Sequence, residues 1–544
     1  MSQRDVPRKP DLNHNFDQTM ATYLGRHGVI VDRRGFLRLV TGASAVIWAR
    51  PSAHALAKEG ASTFAFGLDG DAASLEPALA YDSASLPVVC QISEGLLMFD
   101  QEGTLLPLLA EEWEQPDPLT YIYHLRQGVP FHDGTVMTSA DVLASIARVR
   151  DPEVASPMAW MYDAVEIVEA PGDHTVRITL TSPSALFRYV PAVSAGHVVS
   201  SAAIETHGTN LGRNPVGTGP YRFITWDAGS QIELEKHPDY WQAGKPYFEK
   251  VIFKVVPEAS TRTAGLRTGD IQAEAVVPAD QIPVLQALPN VTLQETIGYG
   301  INCIAFRTDQ PPFDDLRLRQ AVGRAIDVEA IMTNIVKEAG IRARATTVPP
   351  TMPGSASDVL SPVPYDLAEA KRLLAESAEP AGFKTTLTVS TFEEAVAEAV
   401  YIQEALQELG IEVELVQLPW EQIVGVYQSG DYEGMIYFGW FGDFPDASSM
   451  LLPIFHSKNV PPQPNVAYYT NARVDALLDA SEVEQDLEKR LEMLVEAQKL
   501  IAADEPVVWL NHPKQFWPMA KDVTGYEVSP LWGWDAFTRD LKPA

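Results

Sequence analysis

Cysteine is almost missing from this chain. Only Cys90 and Cys303 occur in 544 residues, far apart and with no Cys-x-x-Cys pair. That leaves no support for zinc-ribbon or thioredoxin-type chemistry. Two separate buried thiols are the expectation, with one disulfide left open. Long apolar runs are missing as well. No stretch approaches the roughly 18 continuous apolar residues of a membrane span. A basic surplus is missing: the formal net charge is −31, which repels nucleic acid and anionic membranes. Catalytic signatures are also missing, with no His-Glu-x-x-His, Gly-x-Ser-x-Gly, P-loop or dinucleotide glycine fingerprint. The eleven histidines are scattered; His124 and His132 read as structural rather than metal-binding. Asp314/Asp315 and Glu111/Glu112 are acid pairs of the kind a glycosidase uses, but both lie in segments that read as scaffold. No cofactor and no metal are expected, and an enzyme has nothing specific to rest on.

What is present begins with an uneven charge distribution. The first 57 residues hold eight Lys+Arg against four Asp+Glu, whereas the remainder is strongly acidic. After a polar leader come Arg33, Arg34, Gly35, Phe36 and Leu37, a mildly apolar run from Leu39 to Trp48, and Ala53-His54-Ala55-Leu56-Ala57. Charged region, short apolar region and A-x-A site are the parts of an export signal. The paired arginines with Phe36-Leu37 resemble a twin-arginine signal, with Asp32 where Ser or Thr is commoner. That implies a twin-arginine translocase as partner and cleavage after Ala57 (or Ala55). No cysteine near the site suggests a lipid anchor, so a soluble protein of a Gram-negative periplasm is expected.

The rest has the length and balance of a multi-domain globular protein, 46% hydrophobic and 21% charged. Ser62–Gly67 alternates as a short strand. Val88–Asp100 reads as a short helix ending at Gly95 and then a strand. Thr120–Arg126 reads as a strand, and Thr138 or Ser139 caps a helix beginning near Ala140. Gly217, Gly219 and Pro220 set a tight turn before the strand Tyr221–Ile224. A helix ends at Gly269, and Phe313-Asp314-Asp315 opens another running through Ile331. Arg317 and Arg319 on it read as salt-bridged scaffold.

From Thr385 the pattern turns to strand, helix, strand, helix, strand: Thr385–Ser390, Glu393–Leu409, Ile411–Leu418, Glu421–Ser429 and Met435–Trp440. This βαβαβ run predicts a parallel sheet with a ligand crevice at the strand ends, where Trp420 and Asp443 emerge. The last strand breaks at Gly442 and presents Asp443 and Asp446 among Trp440, Phe441 and Phe444. Carboxylates walled by rings suit a cationic organic group; a solvated turn is the plainer reading of the same residues. A charged helical stretch, Ala472–Ala503, precedes a strand at Val507–Leu510.

Four stretches in order carry a family resemblance. Tyr121–Val142 resembles the signature of family 5 solute-binding proteins, the dipeptide, oligopeptide and nickel receptors of ABC importers. Its Leu125-Arg126, Phe131-His132-Asp133-Gly134 and Ala140-Asp141-Val142 are the matching residues. Asn214–Trp241, Gly298–Ile331 and the Met435–Leu452 stretch follow in the family's order, so nearly all of the chain after the leader is covered.

The resemblance implies an α/β periplasmic binding protein of two lobes, type II and cluster C-like, with an extra subdomain inserted in lobe one. Two strands, near Ala305 and near Trp509, would cross the hinge. The expected division is a signal at 1–57, lobe I at 58–304 with its subdomain at about 98–215, lobe II at 305–504, and a return to lobe I at 505–544. The implied function is to capture a small peptide or other amine-bearing solute and deliver it to an inner-membrane permease and ATPase complex. A monomer is expected, with no nucleic-acid partner. Asp443 stands where the family's peptide receptors place the acid that receives an α-amino group. Trp440, Phe441, Phe444 and Trp420 would wall the ligand, and Arg342 or Arg344 would meet a carboxylate. Asp446 adds a second acid, which favours a polycationic ligand over a plain dipeptide. Receptors for opines, nickel chelates, glutathione and sugars belong to the same family, a chemoreceptor role is open, and a secreted peptide or glycan hydrolase is the alternative of another class.

Overall fold

The computed structural model describes residues 63–274, 276–531 and 537–544. Arg33, Arg34, Phe36 and Leu37 lie outside the described residues. Most of the strands join one twelve-stranded path. At one end Thr63–Leu68 pairs in parallel with Lys250–Val255 over its whole length, Thr63 opposite Lys250 and Leu68 opposite Val255. Tyr221–Asp227 and Gln231–Lys236 extend that end as an antiparallel edge. At the other end Lys384–Ser390 lies between Glu412–Leu418 and Met435–Phe441, parallel to both.

One strand, Val507–Ala520, joins the two ends. Its first residues pair with Gly300–Phe306 and its last seven with Val291–Ile297, both antiparallel. The register slips between Asn302 and Cys303, which oppose Asn511 and Trp509, so Leu510 is the extra residue of a bulge. A bulge bends and twists a strand locally, and this one sits where the chain passes from one half of the sheet to the other. A separate four-stranded antiparallel sheet is formed by Ala110–Asp117, Thr120–Leu125, Thr175–Leu180 and Val165–Gly172.

Strand alternation distributes the core. Ile301, Cys303 and Ala305 enter a large cluster with Phe64, Phe66, Ile436, Phe438 and Trp509. Ile304 and Phe306 point the other way, to Leu387, Val389, Ile402, Met435 and Leu510. Cys90 and Cys303 are both buried, and no disulfide joins them.

The βαβαβ run lies where the pattern placed it, with ends moved by one or two residues. Three helices differ from expectation. The first is Leu86–Ile92; Gly95 does not end it but pairs with His197 in a short antiparallel bridge. A Cβ on Gly95 would collide with the Pro191 carbonyl, which explains the glycine. The Asp315-capped helix ends at Ala325, because Asp327 accepts from Ala330 N at 3.1 Å and starts a new turn. The Ala472–Ala503 stretch is two helices, Ala472–Val483 and Leu487–Asp504, the second capped by Asp486. The Thr138 cap is present as a capping box with Asp141.

Candidate ligand-binding site

Three parallel strands end side by side at Ser390, Leu418 and Phe441. The strand at Lys384 is central, so the chain crosses outward to Glu412 and back over it to Met435. The two connecting helices consequently cover opposite faces. Ala395, Ala399, Ile402 and Leu406 of Glu393–Gln407 enter one core cluster, and Val426 and Tyr427 of Trp420–Ser429 pack against the other. Strand ends between oppositely directed crossovers form a natural crevice.

The turn after Phe441 is built tightly. Gly442 N donates to Tyr299 O at 2.8 Å, and a Cβ on Gly442 would meet Ser449 Oγ at 2.6 Å. Asp443 is half-buried. Its Oδ1 accepts from the Tyr81 hydroxyl at 2.6 Å. Burial pushes its carboxyl up to about 6, and the Tyr81 hydrogen bond opposes that rise. Phe444 is buried, stacked on Tyr189 with centroids 5.8 Å apart and edge-on to Trp160 at 6.4 Å.

The remaining expected residues divide. Trp440 stacks on Phe438, and its indole N–H donates to Ser449 O at 3.2 Å. Phe441 is exposed at the strand end. Trp420, 47% exposed, opens the helix after the neighbouring strand and lies against Phe392, 56% exposed, with centroids 5.6 Å apart. A chain of ring contacts runs Phe392, Trp420, Tyr427, Phe438, Trp440, so the rim pair is continuous with the strand leading to Asp443.

Asp446 is turned away from this surface. Both of its oxygens are held by Arg490, Oδ2 at 2.5 Å and Oδ1 at 2.9 Å, and Oδ1 also receives Ser448 N and Oγ. With Asp446 2% exposed and Arg490 4%, this is a buried ion pair of the scaffold, and the second acid adds no charge to the crevice. Arg342 donates to Val363 O and Glu329, and Arg344 to Leu360 O. Both arginines lie on or just after the short Gly340–Arg342 strand paired with Val507–Ala520. Among the described residues no group of three or more His, Cys, Asp or Glu could hold a metal ion. No helix among them is long and apolar enough to cross a membrane.

Tyr81, Phe392, Trp160, Tyr189 and Arg490 were not singled out in the sequence. Tyr81 precedes Asp82, whose carboxylate accepts from Ala84 N and Ser85 N in the turn before the helix, and carries no motif. Phe392 had a signal, since it stands two residues past the Lys384–Ser390 strand as Trp420 stands two past its own.

Residues 104–462 match the family described as bacterial extracellular solute-binding proteins, family 5 Middle. The chain belongs to that family. Glutathione-binding protein GsiB of Salmonella typhi is 32% identical over 478 residues, covering 86% of this chain and 92% of that one. Among solved structures, the ABC transporter-associated periplasmic binding protein DppA from Helicobacter pylori, in complex with peptide STSA, superposes with a TM-score of 0.76. It is 27% identical and is covered to 99%, against 90% of this chain. AgaA from A. tumefaciens R10, in complex with agropinic acid, gives a TM-score of 0.75 at 27% identity, covering 89% of this chain and 99% of its own. The architecture is accordingly the two-lobe α/β fold of family 5. The role is that of the solute-binding component of an ABC importer, in a family of binding proteins rather than enzymes.

Proposed function

We propose that this family 5 protein captures a short peptide or another amine-bearing solute by its ammonium group, with Asp443 as the anchor. The observation that carries the reading is the half-buried Asp443 carboxylate at the switch-point strand end, between Phe441 and Phe444 in sequence and hydrogen-bonded to Tyr81. A charge-assisted hydrogen bond from an ammonium contributes roughly 1.5–3 kcal/mol, or about 10- to 100-fold in affinity. Phe441, Trp440 and the Trp420–Phe392 pair supply apolar walls and cation–π faces. Phe444 acts from behind by packing the turn. Because Asp446 is committed to Arg490, a single cation suffices and a polycationic ligand is not required. GsiB is named for glutathione and the DppA complex holds a peptide; both ligands carry an ammonium group.

In this reading lobe I comprises 58–304 and 505–544, with the inserted subdomain at about 98–215, and lobe II comprises 305–504. Solute bound between the lobes favours the closed form by its differential affinity for that state. The closed monomer then docks on the permease and ATPase complex. Residues 1–57 would serve as a twin-arginine leader delivering the protein to the periplasm.

The test is a thermal-shift screen against peptides, glutathione, opines and metal chelates, followed by calorimetry on each hit. Asp443→Asn should weaken amine-bearing hits by about 10-fold or more. Unchanged affinity would remove Asp443 from the anchoring role.

A further inference from the structure

Asp443 is reached from the far side of the fold. Tyr81 stands between the Thr63–Leu68 strand and the Leu86–Ile92 helix, 362 positions away in sequence. The backbone that presents it is held on both sides. Ser156 Oγ donates to Ala78 O at 2.6 Å, and Ser194 Oγ donates to Ala80 O at 3.2 Å. Just beyond Tyr81, Asp82 Oδ1 accepts from Ala84 N at 3.1 Å and Ser85 N at 2.8 Å. Glu76, upstream, is gripped by Arg148 at 2.6 and 3.2 Å. Little side-chain freedom remains to be lost when the phenol meets the carboxylate, since only its two χ torsions are free.

Among the described residues, the charged and titratable groups near the turn include Tyr81 itself, Arg188 and Tyr189 beside Phe444, Tyr299 with Asp100 near it, and the Asp446–Arg490 pair beyond. Of these, Tyr81 hydrogen-bonds Asp443 directly. Burial and the neighbouring carboxylate raise the Tyr81 phenol well above its ordinary value, so it remains a donor throughout the physiological range.

We infer that Tyr81 is the positioning residue of the anchor: its hydroxyl fixes Asp443 through Oδ1 and leaves Oδ2 to receive the ligand's ammonium. The inference rests on the reading of Asp443 as the anchor. It also gives the bond a conformational role, because Tyr81 comes from the Thr63 half of the sheet and Asp443 follows a strand of the other half. Ligand capture and the approach of the two halves therefore meet at one carboxylate.

The test needs no ligand. In protein labelled with 13C at the aspartate carboxyls, the Asp443 resonance is identified by its loss in Asp443→Asn and followed through pH. In the unsubstituted protein it should titrate near 6. In Tyr81→Phe, which keeps the ring and removes the donor, the midpoint should rise by about one unit, because a hydrogen bond that favours the charged form is gone. Tyr81→Leu should move it in the same direction, and circular dichroism confirms that both variants are folded. An unmoved midpoint in either folded variant overturns the role of Tyr81 and leaves the anchor reading intact. Undiminished ligand binding by Asp443→Asn overturns the anchor reading and leaves the titration result standing.

Discussion

Two aspartates three residues apart are assigned opposite duties, and substitution can separate them. Asp446→Ala would leave Arg490 buried with its neutralising partner gone, and only Glu482, at 3.9 Å from Nη2, remains nearby. Breaking a buried pair by removing one member costs about 3–5 kcal/mol, and the remaining Glu482 places this case at the lower end. Unfolding entropy near 2.1 cal/mol/K per residue, over roughly 480 ordered residues, amounts to about 1 kcal/mol/K. A loss of about 3 kcal/mol thus lowers Tm by about 3 °C. Asp443→Asn should do the reverse. Its folded-state carboxyl lies near 6 against an ordinary 3.8, so the stability linked to its proton is complete below about 4 and lost as pH rises through about 6. At pH 7 the ionised group is a net cost, and the amide should leave Tm unchanged or raise it slightly. Differential scanning fluorimetry and ligand calorimetry at pH 7 read both quantities on both variants. Asp446→Ala should lose melting temperature while the folded fraction keeps its ligand affinity; Asp443→Asn should lose affinity while keeping melting temperature. If Asp446→Ala melted like the parent and bound ligand less well, the division between anchor and scaffold would be wrong.

Other outcomes follow from buried groups outside the crevice. Glu398 is fully buried on the Glu393–Gln407 helix, where it accepts from Asn511 at 3.2 Å; burial first, and then the charge of Glu394, raise its carboxyl to about 8. Its raised folded value means that the associated stability is complete below about 4.5 and lost as pH rises through about 8. Glu398→Gln should therefore flatten the fall in urea midpoint between pH 5 and pH 9, and a parallel fall in both proteins would refute the assignment. The two cysteines are buried and not joined by a disulfide, so a thiol reagent such as DTNB should find almost none in the native protein and about two equivalents after unfolding. Fast native labelling would contradict their placement.

The parts of this protein that were legible in the sequence are those governed by local periodicity and by caps. Alternation and turn residues placed the βαβαβ run, and its order alone implied parallel strands with a crevice at their ends. Thr138 and Gly269 marked helix ends because a cap is decided by a few adjacent residues. The Gly442 break and Asp443 were visible because a bare strand ending in acid and aromatic residues is a local pattern. The patterns through Ile331 and over Ala472–Ala503 read as single helices, but Asp327 and Asp486 compete for the backbone as caps and start new ones.

What only the tertiary structure decided is which side chains meet. Asp443 and Asp446 are chemically identical and near neighbours, and nothing in the local sequence distinguishes them. The difference comes from partners that fold in from elsewhere: a guanidinium 44 residues downstream neutralises one, and a phenol 362 residues upstream takes one oxygen of the other. An aspartate's function depends on its electrostatic surroundings, and those are set by packing between distant segments rather than by the segment that carries it. The sequence determined that a carboxylate would stand at this strand end. The fold determined which one was left with an oxygen to offer.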